Sequence, residues 1–181
     1  MRTDPTAQAH RVSRRHLLQA AGLVAGSLHA PWLLAASAAG APSWQLGQRI
    51  ELPPLPLLGG SVQTFAKPTQ DVVIVEFWHT QCPFCARQNP VLNAFYKQHR
   101  SKGLQVYAVH IDNKDPQAVQ RYVDAHGYVF TVGLANAPWQ ALFKQRKGLP
   151  QLFLMDRKGI LKRIELGEMF ADDLEEFSQL L

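Results

Sequence analysis

The chain of 181 residues holds only two cysteines, and charged residues make up just 18% of it. Two cysteines cannot complete a four-ligand zinc site unaided. Because only two residues separate them, a bond between them closes too short a loop for an ordinary structural staple. No nicotinamide, flavin or phosphate-binding motif is present, so no cofactor is expected. Repeats and low-complexity segments are also lacking. The formal charge is +5, but residues 1–38 carry four arginines against one aspartate, which leaves only +2 for the rest. That balance offers no basic stripe for nucleic acid, and Lys144-Gln145-Arg146-Lys147 reads as a solvated helix end. What remains, with 46% apolar residues, is enough for one globular domain plus an attached segment.

That segment is the N-terminus. Ser13-Arg14-Arg15-His16-Leu17-Leu18-Gln19 resembles the twin-arginine export motif, with Leu17 in place of the usual Phe and Gln19 in place of the usual Lys. The apolar stretch after it is interrupted by Gln19, Ser27, His29 and Pro31. A membrane span wants about 20 consecutive strongly apolar residues, so the stretch makes a poor anchor. Ala36-Ser37-Ala38 supplies a small-x-small cleavage pattern. The expected organisation is a twin-arginine signal peptide over 1–38, cut after Ala38, and one soluble domain over 39–181; an uncleaved tether is the alternative. Export to the periplasm would place the cysteines where disulfides persist.

Along the domain, alternating stretches at Gln48–Leu52 and Ser61–Phe65 flank Gly59-Gly60, a hairpin signal. The run Val72-Val73-Ile74-Val75-Glu76-Phe77-Trp78 has the composition of a central strand buried on both faces. A helix opens at the cysteines and runs to about Arg100, with Pro90 expected to kink it. Leu104–Ile111 reads as a strand. Asp115 caps a helix that starts at Pro116 and stops at Gly127. A third helix is expected over Pro138–Lys147, strands over Gln151–Asp156 and Ile160–Leu166, and a terminal helix from Asp172-Asp173.

Cys82-Pro83-Phe84-Cys85 sits between the buried strand and the helix. At a helix N-terminus the unpaired N–H groups and the dipole stabilise a thiolate, which makes Cys82 the nucleophile and Cys85 the resolving thiol. Pro83 presets φ in the first turn, and Phe84 presents an apolar rim. His79, three residues before Cys82, is either a loop-end histidine that modulates the thiolate or, with both cysteines, part of a soft Cu(I) site. His110 reads as structural, and Trp139 as a core residue of a helix face.

These landmarks together resemble the TlpA/ResA-like branch of the thioredoxin superfamily. The matching residues are Val75-Glu76-Phe77-Trp78, the Cys82–Cys85 motif, Pro90, Val109-His110-Ile111-Asp112, and Gly148-Leu149-Pro150 leading into Gln151–Gly159. The resemblance implies an α/β fold of thioredoxin type, a central mixed sheet flanked by helices, with an N-terminal β-hairpin and an inserted helix at 116–126. It implies a redox disulfide between Cys82 and Cys85, and a cis-proline at Pro150 that leaves the Leu149 backbone open to a bound peptide. Glu76 occupies the place of the buried acid of thioredoxin and would exchange a proton with Cys85. Trp78, Gln81, Pro83, Phe84, Leu149 and Pro150 would line the client site, with no resident metal. The implied activity is reduction of disulfides in exported proteins, as in cytochrome c or copper-protein maturation, with electrons from a membrane-bound thiol protein. Three departures bear on direction. Gln81 stands where the family has Trp, Gln88 where it has Glu, and the Pro-Phe pair is similar to the Cys-Pro-aromatic-Cys of glutaredoxins. An oxidase or isomerase of the same chemistry, and a copper metallochaperone, are the rival readings.

Overall fold

The computed structural model describes residues 44–67, 70–112 and 114–181; the leader lies outside them. Short strands β1 (Leu55–Pro56) and β2 (Val62–Gln63) pair antiparallel across Gly59-Gly60. Then follow β3 (Val72–Trp78), α1 (Pro83–His99), β4 (Leu104–His110), α2 (Pro116–His126), β5 (Thr131–Leu134), α3 (Ala137–Phe143), β6 (Gln151–Met155), β7 (Leu161–Leu166) and α4 (Ala171–Glu175). The main sheet has the order β5-β4-β3-β6-β7. Strands β3, β4 and β5 are parallel neighbours, while β6 pairs antiparallel with both β3 and β7, so the sheet is mixed. This is the thioredoxin-like arrangement.

Strand β3 is central and buried at all seven positions, and its pleat sorts the core into two layers. Val72, Ile74 and Trp78 join a cluster with Leu92 and Phe95 of α1, Val119 and Val123 of α2, and Leu174 of α4. Val73, Val75 and Phe77 face the other way, toward Trp139 and Leu142 of α3 and toward Trp44, Ile50 and Leu55 of the N-terminal extension. Because side chains alternate with period two, Glu76 must lie on the α1 side, between Ile74 and Trp78.

Three expectations are corrected, and one strand is added. The first hairpin strand is Leu55–Pro56, not Gln48–Leu52. Pro53 and Pro54 break the chain between them, and the earlier stretch instead pairs beside β7, with Arg49 bridging Ile160 and Ile50 N donating to Gly159 O at 2.8 Å. Strand β5 was not legible, because it is four residues long and contains a glycine. The third helix ends at Phe143; Gln145 and Arg146 continue as i→i+3 turns onto Leu142 O and Phe143 O. Nor is Lys144–Lys147 simply solvated, since the Arg146 guanidinium lies 5.2 Å over the Phe153 ring and donates to Trp44 O at 2.7 Å. Helix α1 continues through Pro90 without interruption. Among the described residues no helix is long and apolar enough to cross a membrane.

Candidate active site

The chain leaves β3 at Trp78 and enters α1 at Pro83, so four residues, 79–82, make the whole connection. Their backbone N–H groups are almost all spoken for. Thr80 N donates to His110 Nε2 at 3.2 Å, Gln81 N to His79 Nδ1 at 3.0 Å, and Cys82 N to His79 O at 3.0 Å. His110 ends β4 beside Trp78 and is buried; its Nδ1 donates to the Asp112 carbonyl, which leaves Nε2 as the acceptor for Thr80. Burial holds its pKa below the usual histidine range, so the neutral ring that this geometry needs is the favoured one. The two imidazoles stack with centroids 4.7 Å apart. His110 is thus a support of the cysteine loop, and His79 faces that loop and His110. No cluster of three or more His, Cys, Asp or Glu suited to a metal occurs among the described residues, and nothing here favours the Cu(I) reading.

Cys82 is the N-cap of α1, in extended conformation, with its sulfur accepting from Cys85 N at 3.1 Å. Pro83 sits in the first turn, where its missing N–H costs nothing. Cys82 and Cys85 form a disulfide with a Cα–Cα separation of 5.2 Å. Cys82 is half-buried while Cys85 is buried completely, so only one sulfur can meet an incoming thiol. Around it Gln81, Pro83 and Phe84 are exposed. Arg87 lies 4.9 Å over the Phe84 ring and pairs with Glu168 through Nε, at 2.8 and 2.9 Å.

The Leu149–Pro150 peptide is cis. Gln151 follows it and pairs with Phe77, so Pro150 sits level with the end of β3 where the cysteine loop departs. Leu149 is half-buried and packs against the same apolar cluster as Cys82. Among the described residues its own backbone N–H and C=O make no hydrogen bond, whereas Pro150 O accepts from Gly167 N at 2.9 Å. The buried Gln151 side chain anchors this loop by donating to Gly148 O at 2.9 Å and Arg146 O at 3.2 Å. Trp78 and Pro150 are buried. Trp78 therefore does not line a client surface; it packs under the loop against His110, Tyr122 and Tyr128.

Glu76 has no exposed surface. Its sheet neighbours are Ala108 and Leu152, and among the described residues no cation pairs with it. Burial pushes its pKa up to about 8, against a smaller opposing pull from the Gln88 amide. Gln88 Nε2 donates to Glu76 Oε1 at 2.7 Å. The Asn89 amide, set as its surrounding acceptors require, donates to Glu76 Oε1 at 2.8 Å and to Cys85 O at 3.2 Å. One amide thereby joins the acid to the buried cysteine. Asn89 and His110 were not among the expected site residues. His110 showed in the sequence as a structural residue of the Val109–Asp112 stretch, whereas Asn89 left only its spacing, one helical turn past Cys85.

A C-x-x-C disulfide capping the helix after a central strand, beside a cis-proline that opens the neighbouring antiparallel strand, defines a thioredoxin-like protein with a thiol–disulfide centre. Comparison with known families is more specific. The chain belongs to the Redoxin family, whose model matches residues 25–181. It is 28% identical over 109 residues to the thiol-disulfide oxidoreductase ResA of Halalkalibacterium halodurans, covering 60% of this chain and 61% of that protein. To ResA of Geobacillus kaustophilus it is 30% identical over 104 residues, covering 57% and 59%. The chain thus spans less than two thirds of the length of these relatives. Among solved structures, the thiol:disulfide interchange protein DsbE from Chlorobium tepidum superposes with a TM-score of 0.65 at 28% identity, covering 75% of this chain and 96% of that one.

Proposed function

We propose that this protein is an exported thiol–disulfide oxidoreductase that reduces disulfides of client proteins through Cys82 and Cys85. The observation that carries the reading is the asymmetry of the pair: a half-buried, helix-capping Cys82 over a fully buried Cys85. In the reduced protein the Cys85 N–H and the helix N-terminus would favour the Cys82 thiolate. That thiolate attacks a client disulfide; one client sulfur bonds to Cys82 and the other leaves as a thiolate, to be protonated by solvent. Cys85 then gives its proton to the Glu76 carboxylate and attacks Cys82. The Cys82–client bond breaks, the Cys82–Cys85 bond forms, and two electrons have passed to the client.

Reloading runs the other way. A thiolate of a donor dithiol protein attacks Cys82, and Cys85 leaves as a thiolate that takes a proton from Glu76. The donor's second thiol then releases the reduced enzyme. With its pKa near 8 in the disulfide form, Glu76 is about nine-tenths protonated at neutral pH, ready to supply that proton. The open Leu149 backbone and the exposed Gln81, Pro83 and Phe84 are suited to an extended client segment docking in β fashion. Residues 1–38 are assigned as the twin-arginine leader on Arg14-Arg15 and Ala36-Ser37-Ala38, and residues 39–181 as the mature periplasmic domain; a membrane-bound thiol protein would supply electrons. The test is covalent trapping. Cys85→Ser should accumulate a mixed disulfide between Cys82 and a client peptide, and Cys82→Ser should form none. Trapping through Cys85 in the Cys82→Ser protein would overturn the assignment.

A further inference from the structure

Gln88 is fully buried on α1, facing β3, and the mechanism above gives it no part. Its two amide ends have fixed assignments. Met169 N lies 2.7 Å from Gln88 Oε1, and a backbone N–H can only donate, so that end must be the carbonyl. The Nε2 end is then held on Glu76 Oε1 at 2.7 Å. With Asn89 also donating there at 2.8 Å, Oε1 accepts two N–H bonds, while Oε2, among the described residues, receives Asn89 alone, at 3.2 Å. A carboxyl oxygen already accepting two donors cannot carry the proton as well, so the acidic proton belongs on Oε2.

We propose that Gln88 is a positioning residue that dictates which oxygen of Glu76 carries the exchangeable proton and ties that acid to the loop after β7. The second part rests on three consecutive residues. Gly167 N bonds Pro150 O at 2.9 Å, Glu168 pairs with Arg87, and Met169 N bonds Gln88. The client-facing loop, the outer face of α1 and the buried acid are therefore held by one short segment. Withdrawing the Met169 N–H would release the Gln88 amide to turn its carbonyl toward Glu76 and remove a donor from it. The inference rests on the reading of Glu76 as the proton partner of Cys85, and the test separates the two.

The titratable residues linked to Glu76 are Cys85 of α1, whose backbone carbonyl shares the Asn89 amide with it, and Tyr128 of the segment after α2, whose own pKa is raised by burial and whose charge would couple to Glu76. In the disulfide form the Glu76 carboxyl is raised to about 8, and its protonated C=O stretch, identified by its loss in Glu76→Gln, can be followed by infrared difference spectroscopy. The wild type should show one step near pH 8, with the band lowered by the two donors on Oε1. Gln88→Met keeps length and loses the donor. It should move the midpoint alkaline by about one pH unit, a roughly tenfold change in proton affinity, and raise the band frequency. Gln88→Glu keeps the acceptor for Met169 and sets a second carboxyl against Glu76, so two coupled steps are expected. An unmoved midpoint and band in Gln88→Met, or one unchanged step in Gln88→Glu, would overturn the proposal. Opening of the disulfide by a small dithiol across pH is the second readout. A shifted carboxyl titration with an unshifted kinetic profile supports the role of Gln88 and removes Glu76 from the thiol chemistry.

Discussion

Glu76 shows what a single buried carboxyl costs and what it supplies. Unfolded, it would titrate near its ordinary 4.5; folded, near 8. Between those values the unfolded chain has lost its proton and the native one has kept it. Stability therefore falls as pH rises, by about 1.4 kcal/mol per pH unit, and levels off above the folded pKa. Glu76→Gln removes that slope. Its melting temperature should match the wild type near about pH 5 and exceed it above about pH 8, as calorimetry across pH would show. The same substitution should slow reductive opening of the disulfide at neutral pH by about 10–100-fold, because the departing Cys85 thiolate would lose the proton source proposed for it. Greater stability at high pH together with slower chemistry is a combination that damage to the fold does not produce.

At the scale of elements, the glycine of β5 decides how the N-terminal hairpin sits. A Cβ on Gly133 would lie 2.4–2.6 Å from three side-chain atoms of Leu55, and Leu57 bridges to Gly133 itself. Gly133→Ala should cost about 1–3 kcal/mol in denaturant unfolding, since Leu55 is fully buried and has nowhere to move. Thiol exchange should be unchanged, because the overlap lies on the sheet face away from Cys85. The contact also explains why β5 was hidden. The residue that breaks its strand pattern is there to admit another element. By contrast α2 was legible at both ends, because its signals are local: Asp115 Oδ1 accepts from Ala118 N at 2.9 Å, and Gly127 adopts φ +62° at the other end.

For the whole molecule, the direction of electron flow is a free-energy difference between two folded states rather than a property of either cysteine. The reductase reading expects a reduction potential for the Cys82/Cys85 couple near the thioredoxin end, about −270 mV. Equilibration with a thiol redox buffer measures it, and a value near about −120 mV would reassign the protein as an oxidase. The span between those limits is about 7 kcal/mol, several hydrogen bonds' worth of preference for one form. Supports for the disulfide loop come from distant parts of the chain, among them His110 of β4, Leu149 before β6 and, through Gln88, Met169 after β7.

By itself the sequence determined the cysteine pair and its frame. The C-x-x-C pair, the buried run before it, the caps of α1 and α2 and the proline before β6 act over a few residues, and their meaning survives without knowledge of the fold. Even the side of the sheet that Glu76 faces follows from counting by twos along β3. The tertiary structure alone decided what surrounds that acid and holds that loop. His110 reaches Thr80 across 30 residues and Met169 reaches Gln88 across 81. A hydrogen bond of that span leaves no periodicity or cap in the sequence, because its geometry exists only once the sheet has brought both ends together.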